Sequence, residues 1–163
     1  MTPFEEFLLG VENWPISWEI GGTWWFPMLE SIHVITATIV VGSLLMVDLR
    51  LLGLAARQYS VSVMSRELVP WTWGAFVISC ITGFGMFITR AFSHVDNPAM
   101  QWKMGLLVLA GANMAYFHFR IYRSVDEWND ALSIPVAAKA AGALSLLLWS
   151  GVMLAGRWVG HIV

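Results

Sequence analysis

The sequence predicts an all-α integral membrane protein: a four-helix up-down-up-down bundle (residues 24–163) preceded by a short N-terminal interfacial segment (residues 1–23). Three observations predict it. Hydrophobic residues make up 58% of the 163 and charged residues only 12%, where a soluble domain carries about a quarter charged. Ten tryptophans stand in this short chain, and Trp concentrates where a bilayer meets water. Apolar segments long enough to cross the hydrocarbon, about 20 residues each, recur along the chain. A net charge of −2 leaves no basic patch for nucleic acid, and the single cysteine, Cys80, forms no intrachain disulfide.

The first 23 residues lack the basic start of a cleavable signal peptide and carry Glu5, Glu6, Glu12 and Glu19. Phe4, Phe7, Leu8 and Leu9 opposite Glu5 and Glu6 predict a short amphipathic helix, lying on the membrane surface or packed on the bundle mouth. The first apolar segment, residues 24–54, has only Glu30 and His33 as ionisable side chains between Pro27 and Val47. It ends in Asp48 and Arg50, which read as an interfacial ion pair or cap. The second segment spans residues 69–92, with Pro70 in its first turn, where a missing N–H costs little. The third, residues 97–122, opens with the cap Asn97 followed by Pro98. The fourth runs from Pro135 to the C-terminus. Links over residues 55–68, 93–96 and 123–134 are short, so consecutive helices alternate in direction.

Lys and Arg set the expected orientation. One side carries Arg50, Arg57, Arg66, Arg120, Arg123 and Lys139; the other carries Arg90, Lys103 and Arg157. The richer side is expected in the cytoplasm. Both termini are then periplasmic in a multi-pass protein of a bacterial inner membrane. Trp24, Trp25, Trp102 and Trp158 would form an outer aromatic belt, and Trp71 and Trp73 an inner one. Gly42 and Ser43, Gly83 and Gly85, Gly105 and Gly111, and Gly151 and Gly156 are the small residues expected at helix contacts.

The four histidines carry the chemistry, because an ionisable side chain at lipid depth is a functional-site hypothesis. His33 lies about two turns inside the first helix, with Ala37 one turn below it. Glu30-x-x-His33 is half of a carboxylate-bridged di-metal motif, but the chain has no second copy. His118 lies about 30 Å along the third helix from Pro98, with Gly111, Met114 and Ala115 on its face. Such a face suits a flat macrocycle and equally suits close helix packing. His94 and His161 fall at the outer ends of helices two and four, where interfacial histidines are commonly just solvated. Bis-histidine haem ligation needs two rings at equal depth. His33 with His161, or His94 with His161, could meet that condition. His33 and His118 differ in depth by more than about 10 Å, so an inner haem would rest on His118 alone or with a weak ligand such as Met46. Arg90, Arg157 and Lys103, or Arg120 inside, could meet haem propionates; snorkelling that fixes helix depth is the simpler reading, above all for Lys103.

Several motifs resemble one family. They are Trp25-Phe26-Pro27, Glu30 and His33; Gly42-Ser43; and Asp48-Leu49-Arg50-Leu51-Leu52-Gly53. Trp71-Thr72, Thr82-Gly83, Asn97-Pro98, Lys103, Asn113, Phe117-His118 and Gly156-Arg157-Trp158 extend the pattern over nearly the whole chain. Together they resemble a group of small four-helix bacterial inner-membrane proteins of unknown function. Its architecture is similar to that of membrane b-type cytochromes and the membrane domain of copper-resistance proteins, an analogy of fold. The resemblance implies histidine at positions 33 and 118, and an aromatic residue where His161 stands.

The functional expectation is a membrane-embedded b-type haem electron-transfer protein or subunit, not an enzyme by itself. Its ligands, for haem or for another metal, would be His33 and His118 first, then His161 and His94, with Arg157 on the cofactor. The bundle would supply ligation and insulation to the haem. Its partners would be the lipid bilayer and a redox partner, quinone or larger membrane complex, with a homo-oligomer as a further arrangement. Two alternatives come from other classes: a non-catalytic accessory subunit, and a copper-handling protein using His33, His94 and His161 with Met28 and Met100. A transporter would need intramembrane acids and broken-helix repeats that the chain lacks.

Overall fold

The computed structural model describes residues 1–129 and 134–162. Four helices are long and apolar enough to cross a membrane: α3 (Trp25–Leu51), α4 (Val61–Ile88), the run from α6 (Pro98–Tyr116) to Trp128, and α8 (Val136–Val159). They pack into a four-helix bundle. Two short helices, α1 (Pro3–Glu12) and α2 (Pro15–Gly22), precede it, α5 (Ala91–Asp96) joins α4 to α6, and α7 (Val125–Trp128) closes the third span. The expected link over residues 123–134 extends into residues 130–133, outside the described residues, as does the final residue of the fourth segment.

The bundle is two hairpin-like pairs. α3 packs along α4 and α6 along α8, α3 against α8 joins the pairs, and α4 and α6 barely touch. Each pair is pinned by polar bonds across the helices. Ser43 and Thr72 join their hydroxyls at 2.7 Å between α3 and α4, and Asn113 Nδ2 donates to the Ala141 carbonyl at 3.0 Å between α6 and α8. Bonds of this kind are each worth about 0.6 kcal/mol in a membrane, where no water competes for the partners. Gly142 lets α8 approach closely, since a Cβ there would stand 3.3 Å from the Asp48 carbonyl and from Leu51 Cβ. Gly83, Gly85 and Gly151 sit at contacts as expected, whereas Gly42, Gly105 and Gly111 face open space.

Helix ends follow local chemistry. α3 stops at Leu51, three residues before the expected Leu54. Gly53 takes φ +71°, and two backbone bonds close the end: Gly53 N–H to the Arg50 carbonyl at 3.0 Å and Leu54 N–H to Leu49 at 2.9 Å. This is the Schellman arrangement, which needs a left-handed residue. α4 differs more. It begins at Val61 rather than Val69, because the Ser60 hydroxyl caps it by accepting Val63 N–H at 3.4 Å. Val61 and Met64 are buried, and Val61 joins the core of Leu51, Phe117, Ile121 and Ala138. Pro70 therefore lies inside the helix on its exposed side, and the Arg66 carbonyl loses its usual partner. Trp71 and Trp73 consequently lie about 15 Å along α4 rather than at its start. α6 continues through a wide π-helical turn, Phe117–Ile121, a form frequent at functional sites.

The N-terminal segment folds onto the end of the bundle that carries both termini. Leu8 and Val11 of α1 are buried with Ile88 and Ala91, Glu12 accepts the Phe92 N–H at 2.8 Å, and Phe4 and Phe7 point away, exposed. The packed alternative thus holds for Leu8, while the two phenylalanines keep an outward apolar face.

Gly53→Ala should destabilise the protein by about 1 kcal/mol, because alanine resists the left-handed conformation. A lowered melting temperature in detergent checks this, with Gly105→Ala, in open space inside α6, as the control that is not lowered.

Candidate functional site

Each of the four histidines is held by its own neighbours. His33 is wedged between α3 and α4: its Nδ1–H donates to the Ser79 carbonyl at 2.9 Å, with Thr82 Oγ1 at 3.1 Å. A Cβ on Gly83 would stand 3.0 Å from its Cε1, so the ring occupies the space this glycine leaves. Lys103 of α6 is within electrostatic reach of His33, half-buried with its stem beside Gly156. His94 belongs to the short helix α5 rather than to a loop, tilted against Phe87 at 5.8 Å. His161 is exposed just beyond α8, its Nδ1–H donating to the Arg157 carbonyl at 3.1 Å. Arg157 itself is exposed. No hydrogen bond or ring contact joins any two histidines among the described residues, and no group of three or more His, Cys, Asp or Glu side chains is gathered for a metal. Neither His33 with His161 nor His94 with His161 shares a hydrogen bond or ring contact.

His118 stands elsewhere, on the wide turn at the arginine-rich end of the bundle. Its Nδ1–H donates to the Met114 carbonyl at 3.1 Å, which fixes the tautomer and leaves Nε2 with a free lone pair. The ring lies tilted against Tyr122 at 5.6 Å and meets Phe117 edge-on at 5.7 Å. It borders a cavity of about 190 Å³ at the centre of the bundle. α4 contributes Trp73 and Phe76 to that cavity, α8 contributes Trp149, and α6 leaves Gly111 open onto it. Because α4 and α6 barely touch, no helix contact closes the cavity on that side.

Asp48 lines the same cavity and changes its meaning. Its exposure is 5%, and Oδ2 has no hydrogen-bond partner among the described residues. The Ser145 hydroxyl lies beside the carboxylate. The expected ion pair with Arg50 is absent: Arg50 Nε donates instead to the Tyr59 carbonyl at 2.7 Å. Residues two apart point to different faces of a helix, which separates the two groups. Asp48 is also enclosed, because Ser65 on the second turn of α4 and Val69 on the third line the cavity with it. A second, more open cavity adjoins at the arginine-rich end, bordered by Arg66, Pro70 and Tyr122, and it shares Ser65, Val69 and His118 with the first. Asp48, Ser65 and Ser145 are the site residues that sequence reasoning passed over. The available signal was an acid within an apolar segment and out of helical register with its supposed partner.

Gly83→Ala should push the His33 ring off its bond to Ser79 and cost about 1–3 kcal/mol, read as a lower melting temperature in detergent. A second prediction concerns pH. Burial holds the His94 imidazole below the ordinary histidine range, against the pull of the Phe87 and Arg90 carbonyls. The folded state then binds fewer protons there than the unfolded state. The contribution is fully present above the unfolded value of about 6.5 and is lost as pH falls below it. Amide protection factors in α1 and α5, corrected for the intrinsic pH dependence of exchange, should fall on acidification, and His94→Gln should flatten that response.

No curated protein and no solved structure matches the chain. A family model does match over residues 16–162, nearly the whole bundle together with α2. The chain belongs to that family, DUF6644, a family of unknown function.

Proposed function

We propose that the protein is a quinol-binding subunit of membrane electron transfer, and that the cleft between α4 and α6 takes one ring of a lipid-soluble quinol. The carrying observation is the pair of unpaired acceptors on the cleft wall, His118 Nε2 and Asp48 Oδ2. A dihydroxylated ring offers two O–H donors and an apolar body, which suits Trp73, Phe76 and Trp149 around it. Size supports a single ring. An apolar cavity of about 150 Å³ holds benzene, and this one measures about 190 Å³, below the roughly 300–1,000 Å³ of sites for drug-sized ligands. The isoprenoid-type tail leaves through the side that α4 and α6 do not close, into lipid. In this reading the protein sits in a bacterial inner membrane with its arginine-rich end in the cytoplasm, and a partner subunit supplies the redox centre.

A b-type haem on His118 is the second reading, favoured by the orientation that Met114 gives the ring. It requires the cleft to widen and a second axial ligand that the described residues do not bring near.

Titration of purified protein in nanodiscs with decyl-ubiquinol should quench tryptophan fluorescence saturably through Trp73 and Trp149. His118→Ala should weaken binding about tenfold, the loss of one hydrogen bond to a buried group. Absence of saturable quenching overturns the quinol reading. A Soret band with the reduced α band of b haem, removed by His118→Ala, would replace it with the haem reading.

A further inference from the structure

Asp48 invites a question that ligand binding does not answer: with which aqueous phase does it exchange protons? A carboxylate so deeply buried is costly unless it takes a proton, a cation or a donor, so a polar route to it has consequences. Toward the end of the bundle that carries the termini, the polar side chains nearest in α3 and α4 are Ser43 and Thr72. Their hydroxyls are committed to each other and to helix carbonyls. Toward the arginine-rich end the situation is the reverse. The cleft that Asp48 lines and the second cavity, of about 280 Å³, share the side chains of Ser65 and His118. The second cavity ends at Arg66, which is exposed to the surface. Pro70 stands on its wall and deprives the Arg66 carbonyl of a helix donor, leaving an acceptor for water there.

We infer that Asp48 is a one-sided proton site, exchanging with water at the arginine-rich face through the wall formed by His118 and Ser65. The step is a transfer only: a proton arriving in the second cavity binds His118 Nε2 while Nδ1–H stays on the Met114 carbonyl. Nε2 then gives that proton up to the cleft side, directly or through water, and Asp48 Oδ2 receives it, which returns the imidazole to its starting tautomer. Return follows the same path. An imidazole is suited to relay because one ring nitrogen can accept a proton while the other remains a donor.

Few other charges face Asp48. Arg50 on α3 itself is turned to the Tyr59 carbonyl. α4 brings Arg66 and Glu67, which pair at 3.7 Å on the surface. The wide turn after α6 brings His118 and the exposed Arg120, Tyr122 follows it, and α8 brings only the exposed Lys139. The inference uses the cleft of the quinol reading without depending on quinol.

The test uses full-length protein in proteoliposomes of defined orientation, with no quinol present. Dicyclohexylcarbodiimide, which reacts with protonated carboxyl groups in apolar surroundings, is added and modification of Asp48 is read by mass spectrometry. Acidifying the arginine-rich side should raise Asp48 labelling several-fold, and acidifying the opposite side should leave it unchanged. His118→Phe, which places an apolar ring in the shared wall, should cut that response several-fold, and His118→Gln should restore part of it. Labelling that follows the opposite side, follows both sides equally, fails to occur on Asp48, or keeps its full response in His118→Phe overturns the inference. Fluorescence titration with decyl-ubiquinol in the same vesicles separates the two readings, since loss of quinol binding with intact one-sided labelling removes only the first.

Discussion

Inside a bilayer a polar group has no water to turn to, and that constraint arranges this molecule. Many of the serine, threonine, asparagine and histidine side chains on the long helices find partners on their own helix or on the neighbour in the same pair, while Ser62 of α4 reaches Asn129 beyond the third span. Ser43 with Thr72 and His33 with Ser79 bind α3 to α4, and Asn113 with Ala141 binds α6 to α8. α4 and α6 make no such bond with each other, and they scarcely touch. The cleft is the space left where polar pairing stops.

Against that background the two groups on the cleft wall that lack partners stand out for a physical reason. His118 has its tautomer set by its own helix, and Asp48 is hemmed in by Ser145, Gly142 and the early turns of α4. Neither is satisfied by protein on the face it turns to the cavity. His33 is the contrasting case. It lies at membrane depth like the others, yet its Nδ1 is spent on Ser79 and its ring fills the notch at Gly83, so it contributes to helix packing.

Much of the fold was legible in composition and punctuation. Segment length and hydropathy identify the spans, Asn97-Pro98 marks the start of α6, and the tryptophans at positions 24, 25, 102 and 158 are exposed near one end. The start of α4 was not legible, because Arg66, Glu67 and Pro70 look like the signature of a link and its end. In fact Ser60 caps the helix and the charged pair sits on its surface. That single misplacement hid the site. With two turns of α4 removed, Asp48 looks like a residue at the membrane boundary; with them in place it is enclosed. The histidines were legible as residues of interest, but a linear count of depth cannot say which ring is spent on packing.

The connection of α3 to α8 has a consequence for how the molecule is made. The pairs α3–α4 and α6–α8 are each close in sequence and can associate as soon as they enter the membrane, as two independent units. The contact that unites them joins the first span to the last. Gly142 and Ser145, which back Asp48, arrive on that last span. Until α8 has been synthesised and docked, the acid on α3 has α4 on one side and no protein wall on the side that Gly142 and Ser145 will cover. Biogenesis of this protein is therefore least protected at Asp48, and the cavity is the final part of the architecture to exist.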